Sequence, residues 1–235
     1  LPCVRSDLLT AQGSRSPLAH FAHRGLLRLA ERVLPRSFAA SLPSQPYRVV
    51  DACVALTEWE ASLMKRIYGA PAERVHVVPN GVEPVFFETP AVERGRWLIC
   101  TATITPRKRV LELAKAAVAA RVPVRIVGGP YHPDDPCFRA FLEETERSPE
   151  WLRYEGSVRD RERLAHLYRE ARGFVLTSRE ESLSLSALEA AACGCPLLLS
   201  DLPWARQTFG PGATYCPVTA KTPVTARHLR AFYEA

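Results

Sequence analysis

From Trp97 onward, the sequence alternates short apolar runs with stretches in which apolar residues recur every three or four positions. The apolar runs predict six strands, which begin at positions 97, 122, 151, 173, 196 and 213. The stretches between them are typical of amphipathic helices and cover residues 110–120, 138–146, 161–171 and 187–193. Strands that alternate with helices form repeated βα units. The sequence therefore predicts an α/β domain with a doubly wound, Rossmann-like parallel sheet.

A smaller strand, helix and strand are predicted before this unit. VVDACVALT and RVHVVPNGV read as strands, and residues 58–68 between them read as an amphipathic helix. Three such elements cannot cover both faces of their own sheet. We predict that residues 1–91 are the end of a first domain and that residues 92–235 form the second, with a linker over residues 84–95. Because the chain starts with Leu1 and not with methionine, we expect it to be a piece of a longer protein.

The composition excludes several classes of protein. Of the 235 residues, 47% are hydrophobic, which excludes a disordered or fibrous chain. The net charge of +6 arises mostly within residues 1–48, whereas a nucleic-acid-binding protein usually spreads basic residues over its binding face. No apolar run approaches the ~20 residues that cross a bilayer, and no signal-peptide pattern opens the chain. We expect a cytoplasmic protein that binds no nucleic acid.

The seven cysteines predict buried thiols in a reducing compartment. Four of them lie inside apolar runs, and the sequence contains no C-x-x-C pair. No histidine stands at ligand spacing from Cys193 or Cys195. We therefore expect no bound metal ion and no other cofactor.

A basic amphipathic helix is predicted over residues 18–34. Its two ridges are formed by Arg24, Arg28 and Arg32 on one side and by Leu26, Leu29, Ala30 and Val33 on the other. A solvated charged face is one interpretation. The other is peripheral contact with anionic lipid headgroups through residues 18–36.

Residues 178–200 carry the strongest indication of a ligand site. A predicted strand ends there, a polar turn follows, and a short helix leads into the next strand. Ligands of open parallel sheets bind at the carboxyl ends of strands, where the free amides of a helix favour phosphate groups. We expect Glu181 in the turn and Glu189 in the first helical turn to flank those amides and to accept hydrogen bonds from sugar or ribose hydroxyls.

Simpler interpretations of these glutamates stay open. Ser186 and Glu189 have the spacing of a capping box, in which the serine caps the helix and the glutamate reaches back to the serine amide. Glu180 and Glu181 are equally interpretable as two solvated loop charges.

A second candidate site follows the first strand of the large unit. The basic residues of TPRKR, residues 105–109, precede a predicted helix at a place where a cation neutralises a diphosphate leaving group. Surface charges are the alternative interpretation. Gly128 and Gly156 end two further strands, where a small residue allows either a close ligand or a simple turn. The chain lacks G-x-x-x-x-G-K-[ST] and G-x-G-x-x-G, which argues against P-loop and dinucleotide sites.

Together these segments resemble the C-terminal half of a retaining glycosyltransferase of family 4, which has the two-domain GT-B fold. The most specific element is a Glu-x7-Glu motif, Glu181 to Glu189, followed by the small-residue tail AAACGCP. The resemblance covers about residues 49–218. The supporting elements occur in the family's order and are VVPNGVEPVFF, TITPRK, IVGGP, YEGSV and LAHLYREARGFVLTS.

The resemblance implies a site for a nucleoside diphosphate sugar. It makes Glu181 the catalytic-site contact to hydroxyls of the donor sugar and Glu189 the contact to ribose hydroxyls. Lys108 would hold the diphosphate. The amides of residues 183–185 would add donors to sugar and phosphate, and the segment at Val158 would meet the base. Transfer would proceed with retention and without a protein nucleophile. In such enzymes the first domain holds the acceptor.

Of the implied donor contacts, three are backbone amides of adjacent residues, namely those of Leu183, Ser184 and Leu185. The sequence departs from the family nearby, since ESLSLS at residues 181–186 replaces Glu-Gly-Phe-Gly-x-Pro. Thr103 stands where the family commonly has a phosphate-binding arginine, a role left to Arg107 or Arg109.

We therefore predict a glycosyltransferase that uses a nucleoside diphosphate sugar and an unidentified glycan or lipid-linked acceptor. This chain alone is expected to bind nucleotide weakly without turnover. The alternatives are a non-catalytic scaffold or anion-sensing domain and, third, a polyanion-binding basic domain.

Overall fold

A computed structural model of the protein describes residues 25, 29, 33, 45–218 and 220–235. It contains two compact units. The first ends at Asn80 and includes Glu181–Leu183, and the second comprises Gly81–Glu180 and Ser184–Ala235. The division thus falls before Gly81, whereas the sequence predicted it at residue 91.

The first unit contains the expected strand, helix and strand. Strand β1 (Cys53–Ala55) pairs in parallel with β2 (Val75–Val77), and helix α2 (Glu58–Arg66) connects them. A short helix α1 (Gln45–Val49), which the sequence did not predict, comes before β1. The Thr57 hydroxyl accepts a hydrogen bond from the Glu60 amide at 3.1 Å and so caps α2.

The predicted basic helix lies almost entirely outside the described residues. Gly25, Leu29 and Val33 are helical, and the side chains of Leu29 and Val33 are exposed. Arg24, Arg28 and Arg32 belong to the part of the chain that is not described, so the lipid contact through residues 18–36 stays a prediction. Among the described residues, no helix has both the length and the apolar character needed to cross a membrane.

The second unit is built on a six-stranded, all-parallel sheet. Its strands are β3 (Leu98–Thr101), β4 (Val124–Val127), β5 (Leu152–Tyr154), β6 (Gly173–Leu176), β7 (Leu197–Ser200) and β8 (Thr214–Cys216). Their order across the sheet is β5-β4-β3-β6-β7-β8. All six strands that the sequence predicted are present. Every residue of β6 and β7 is buried, which explains why they read as continuous apolar runs.

The second unit also contains the helices that connect and flank these strands. They are α3 (Val85–Glu88), α4 (Val110–Ala120), α5 (Pro136–Arg147), α6 (Arg161–Glu170), α7 (Leu185–Ala192), α8 (Pro203–Phe209) and α9 (Thr222–Glu234). Helix α4 packs against α5 and α9, whereas α6 packs against α3 and α7. Connections between parallel strands are right-handed. The chain first adds strands on one side of β3 and then on the other side, so the connecting helices lie on opposite faces of the sheet. The sheet is therefore doubly wound, as predicted.

The predicted linker is part of the second unit. Phe86 of α3 is fully buried, and the Arg169 guanidinium donates to the carbonyls of Phe86 and Phe87, at 3.1 Å each. Further along, Arg94 donates to the carbonyl of Ala171 at 2.7 Å. Residues 84–95, which the sequence predicted as a linker, are thus held within the second unit by a buried ring and by arginine hydrogen bonds.

A glycine is required at the end of β4 because the backbone of the neighbouring strand approaches it closely. Gly128 has φ of +142°, and a Cβ built there would lie 2.0 Å from the Ala102 carbonyl oxygen. The Gly128 amide donates to the Gly156 carbonyl at 2.8 Å, and its own carbonyl accepts from the Tyr154 hydroxyl at 2.9 Å. The absence of a side chain at Gly128 therefore allows close packing against the backbone of Ala102.

We predict that Gly128→Ala destabilises the protein by about 2–4 kcal/mol, because it adds both backbone strain and a clash with a main-chain atom. Urea denaturation followed by circular dichroism measures this loss. Gly212→Ala is the matched control, since a Cβ there has nothing within 4 Å. Equal stability of the two variants would contradict the assignment.

Candidate functional site

The candidate site lies where the order of strands reverses. β3 and β6 are neighbours in the sheet, with Leu98 opposite Gly173 and Ile99 opposite Phe174. After β3, the chain adds β4 and β5 on one side of β3. After β6, it adds β7 and β8 on the other side of the sheet. The loops after β3 and β6 lie at the carboxyl ends of these strands, beside the reversal where ligands of such sheets bind. These loops comprise residues 102–109 and 177–184.

The loop after β3 turns sharply before α4. The amides of Lys108 and Arg109 both donate to the Thr105 carbonyl, at 3.1 Å each. Arg109 adopts a left-handed conformation with φ of 56° and is 7% exposed. Its guanidinium donates to the carbonyls of Val218 and Ala220. Because Arg109 is buried and bonded to the backbone, it does not supply the phosphate-binding cation that the sequence allowed it to be.

Arg107 joins the two loops. Its guanidinium donates to the Glu180 carbonyl at 3.1 Å, and its own carbonyl accepts from the Arg179 amide at 2.8 Å. Lys108, the next residue, is half-buried. Burial raises the pKa of the Cys100 thiol in β3 to about 12, and the ammonium of Lys108 opposes this rise. Lys108 therefore places a positive charge near the carboxyl end of β3.

Helix α7 starts earlier than the sequence predicted. Ser184 is its N-cap, and the Ser184 hydroxyl accepts from the Ala187 amide at 3.3 Å. The interpretation of Ser186 as the cap was therefore wrong, and Glu189 lies in the second helical turn and not in the first. The amides of Leu185 and Ser186 are in the first turn, where a helix has no internal acceptor for them. Leu185 itself is 49% exposed.

Glu181 is buried, at 6% exposure, in the loop between β6 and α7. This burial contradicts its interpretation as a solvated loop charge. Leu183 is buried as well, and both residues group with the first unit. Val158 is half-buried in the segment after β5 that has no regular secondary structure.

The Glu189 carboxylate is held by two side chains of α6. Its Oε1 lies 2.5 Å from Nη2 of Arg161, and its Oε2 accepts from the Tyr168 hydroxyl at 3.3 Å. Arg161 also pairs with Glu83, at 2.8 Å, and its guanidinium lies 4.7 Å from the centre of the Phe86 ring. Sequence reasoning missed these partners. The signal available was the seven-residue spacing of Arg161 and Tyr168, which places both on one helix face.

The cysteines that the structure describes are not part of this site. Six of the seven lie within the described residues, where all six are free thiols and all but Cys137 are buried. Burial raises the pKa of Cys195 to about 12, as it does for Cys100. Within the described ranges, no cluster of three or more histidine, cysteine or acidic side chains is arranged to hold a metal ion.

A cleft of about 260 Å³ lies at the opposite edge of the sheet. It is lined by Trp97 and Leu98 at the start of β3, by Arg125 of β4 and by the end of α6. This cleft is distant from the carboxyl ends of the strands, so it is separate from the candidate site at the reversal between β3 and β6.

Two family models match the chain. The family described as Glycosyl transferases group 1 matches residues 95–231, and the Glycosyl transferase 4-like domain matches residues 6–81. D-inositol 3-phosphate glycosyltransferase 1 of Catenulispora acidiphila is 31% identical over 222 residues, which cover 83% of this chain and 52% of that protein. The D-inositol 3-phosphate glycosyltransferase of Xylanimonas cellulosilytica is 32% identical over 171 residues, or 63% of this chain and 40% of the relative. The chain spans about half the length of these curated relatives.

Solved glycosyltransferase structures have the same fold. A glycosyltransferase from Rickettsia africae superposes with a TM-score of 0.68 at 12% identity, over 94% of this chain and 73% of that one. The Anabaena protein HepE, solved with UDP and glucose, gives a TM-score of 0.65 at 15% identity, over 92% and 59% of the two chains. These likenesses confirm an α/β, Rossmann-like fold of the GT-B type. The match over residues 95–231 covers more than half of the sequence, and the chain therefore belongs to the glycosyl transferases group 1 family.

Proposed function

We propose that this chain binds a nucleoside diphosphate sugar at the carboxyl edge of the second unit's sheet. The proposed enzyme transfers the sugar with retention of anomeric configuration. The observation that carries the proposal is the pairing of the loops after β3 and β6 through Arg107. This pairing sets the segment 105–109, which contains three basic residues, against the loop that leads into α7.

The diphosphate is assigned to Lys108 and to the amides at the start of α7. A diphosphate leaving group develops negative charge as the glycosidic bond breaks, and fixed donors around it stabilise that charge. Lys108 supplies a cation, and the amides of residues 183–185 supply neutral donors near the positive end of the helix. Lys108, which the resemblance assigns to the diphosphate and which stands two residues before the start of α4, is the principal cation of this proposal.

The two glutamates are assigned to hydroxyl groups. Glu181 is proposed to accept hydrogen bonds from the donor sugar and Glu189 from the ribose, while the segment at Val158 contacts the base. Charge-assisted hydrogen bonds to carboxylates are short and directional, which suits the positioning of a sugar ring. Retention is proposed to occur without a protein nucleophile, with the departing phosphate oxygen guiding the acceptor onto the same face of the sugar.

The named similarities support a nucleotide-sugar donor. HepE was solved with UDP and glucose, and the pneumococcal O-GlcNAc transferase GtfA with UDP and GlcNAc. Curated relatives are named as D-inositol 3-phosphate glycosyltransferases and as an O-antigen chain mannosyltransferase of Escherichia coli. Their sugars and acceptors differ, so the proposal extends to the class of donor and leaves the acceptor open.

A non-catalytic anion-sensing domain is the second candidate. It is favoured by the departures of residues 181–186 and of Thr103 from the family's pattern. A sensor needs the phosphate contacts and has no use for the sugar contact of Glu181. The two candidates therefore differ in how the glutamates affect binding.

We expect at least one of UDP-, GDP- and ADP-sugars to raise the thermal midpoint of the chain. Ligand that binds only the folded state stabilises it by about 2.7 kcal/mol at a hundred times its dissociation constant.

Lys108→Ala should weaken binding about ten- to hundredfold, as for a lost hydrogen bond to a charged group. Lys115→Ala removes the same charge from an exposed position of α4 and serves as the control. Folded protein that binds none of these nucleotides would refute the proposal.

Glu181→Gln should reduce the affinity for the nucleotide sugar about tenfold and leave that for the free nucleoside diphosphate unchanged. The reason is that Glu181 is assigned to the sugar alone. Calorimetric titration with both ligands measures the difference, and Glu180→Gln, at the adjacent half-buried position, is the control. Equal losses for both ligands would contradict the assigned role, and no loss for either would favour the anion sensor.

The 235-residue chain is expected to bind donor without transferring its sugar, because it spans about half the length of the curated relatives. An assay with the radiolabelled donor sugar and a panel of inositol phosphate and glycan acceptors tests this. Transfer above the level of a Glu181→Gln variant would show that the chain is sufficient for catalysis.

A further inference from the structure

We propose that Arg161, together with Tyr168, is a positioning residue that orients Glu189 for the ribose of the bound nucleotide. This inference rests on the proposed function, which assigns Glu189 to the ribose hydroxyls. It adds two residues of α6 that neither the sequence motifs nor the comparisons assign to any role.

The first step is that α6 presents both side chains to α7 from one face. Arg161 is the first residue of α6, and Tyr168 follows seven positions later, which is two helical turns. Leu164 and Ala165 lie between them and are buried at 3% and 0% exposure. The same face of α6 that packs against α7 therefore carries one cation and one hydroxyl donor.

The second step is that each oxygen of Glu189 has its own partner. Nη2 of Arg161 lies 2.5 Å from Oε1, and the Tyr168 hydroxyl donates to Oε2 at 3.3 Å. Burial and the neighbouring charge of Glu189 raise the pKa of Tyr168 well above its ordinary value, so the phenol stays a donor at neutral pH. Two partners on different oxygens fix the plane of the carboxylate. Each oxygen retains a further lone pair, because an ionised carboxylate has about four acceptor sites.

The third step is that Glu189 needs these partners. It is 6% exposed, and the adjacent Ala190 and the nearby Cys193 and Tyr168 are fully buried. A carboxylate in such surroundings is unfavourable without a cation and hydrogen bonds. Arg161 supplies the charge, so Glu189 can serve as an anionic acceptor in a largely apolar setting.

The fourth step is that Arg161 is itself fixed. Its guanidinium lies over the fully buried Phe86 ring, with 4.7 Å from Cζ to the ring centre. Its Nη2 also pairs with Glu83 at 2.8 Å, although Glu83 is 57% exposed in its side chain and therefore contributes little. Although burial lowers the pKa of Arg161, the hydrogen bonds and charges of Glu189 and Glu83 outweigh that effect and raise it. The Phe86 ring and the Glu189 carboxylate are therefore the principal contacts that hold the guanidinium beside Glu189.

The test compares nucleoside diphosphates with and without ribose hydroxyls. The chain is titrated with UDP, GDP and ADP and with their 2′,3′-dideoxy forms, and the ratio of the two affinities is the readout. Wild type should prefer the ribose form of the nucleotide that it binds, by about tenfold for the charge-assisted hydrogen bonds to Glu189. Arg161→Met should abolish most of this preference and leave the affinity for the dideoxy form unchanged. A merely structural role would lower both affinities together.

The control is Arg163→Met. Arg163 is on the same helix, 59% exposed, and pairs with Glu155 at 3.6 Å. The Arg163→Met substitution removes a positive charge two residues from Arg161 and should leave the preference for ribose intact. Glu189→Gln should abolish that preference, and combining it with Arg161→Met should add little further, because the two side chains act as one unit.

Each outcome of these titrations either supports or overturns the inference. An unchanged ribose preference in Arg161→Met would overturn the inference while the proposed function stands. Failure of wild type to bind any of the nucleotides would overturn the proposed function and this inference with it. If Arg161→Met shows no cooperative thermal transition, Arg161→Lys decides, because lysine retains the charge but lacks the planar guanidinium that stacks on Phe86. A reduced preference in Arg161→Lys supports the inference, and a wild-type preference contradicts it.

Discussion

The reversal of strand order between β3 and β6 is the constraint on which the candidate site depends. All six strands of the second unit are parallel, so their carboxyl ends meet at one edge. At the reversal, the loops after β3 and β6 lead to helices on opposite faces, and no crossover covers the space between them. Arg107 then determines how far apart the loops lie, because it bonds to both Arg179 and Glu180. The proposed nucleotide site at this edge therefore depends on the topology of the sheet and on the Arg107 hydrogen bonds.

The segment that leads into the second unit contributes to the same site. Phe86 fills a buried position between α6 and α7, and Glu83 just before it contacts Arg161. The side chains that fix this segment therefore also hold Glu189. A change in the segment would alter the orientation of a carboxylate assigned to the ligand.

Much of this fold could be predicted from the sequence, and the exceptions have physical causes. The strands were found because burial on both faces requires continuous apolar runs, and α4 has the predicted bounds. The start of α7 was misplaced because Ser182, Ser184 and Ser186 are equally good caps locally. Ser184 is the cap in the structure, and Ala187 and Ala190 of the helix that follows are fully buried. Similarly, no local signal distinguishes Lys108 from Arg109, whose partners Val218 and Ala220 are more than a hundred residues away.

Amide hydrogen exchange of the chain, with and without the nucleoside diphosphate that binds it best, locates the bound nucleotide. We expect ligand to slow exchange in residues 105–109 and at the first turn of α7, where the diphosphate is assigned. We expect no such change around Trp97 and Arg125, which line the cleft at the opposite edge. Protection confined to that cleft, or absent from both loops at saturating ligand, would contradict a nucleotide site at the reversal between β3 and β6.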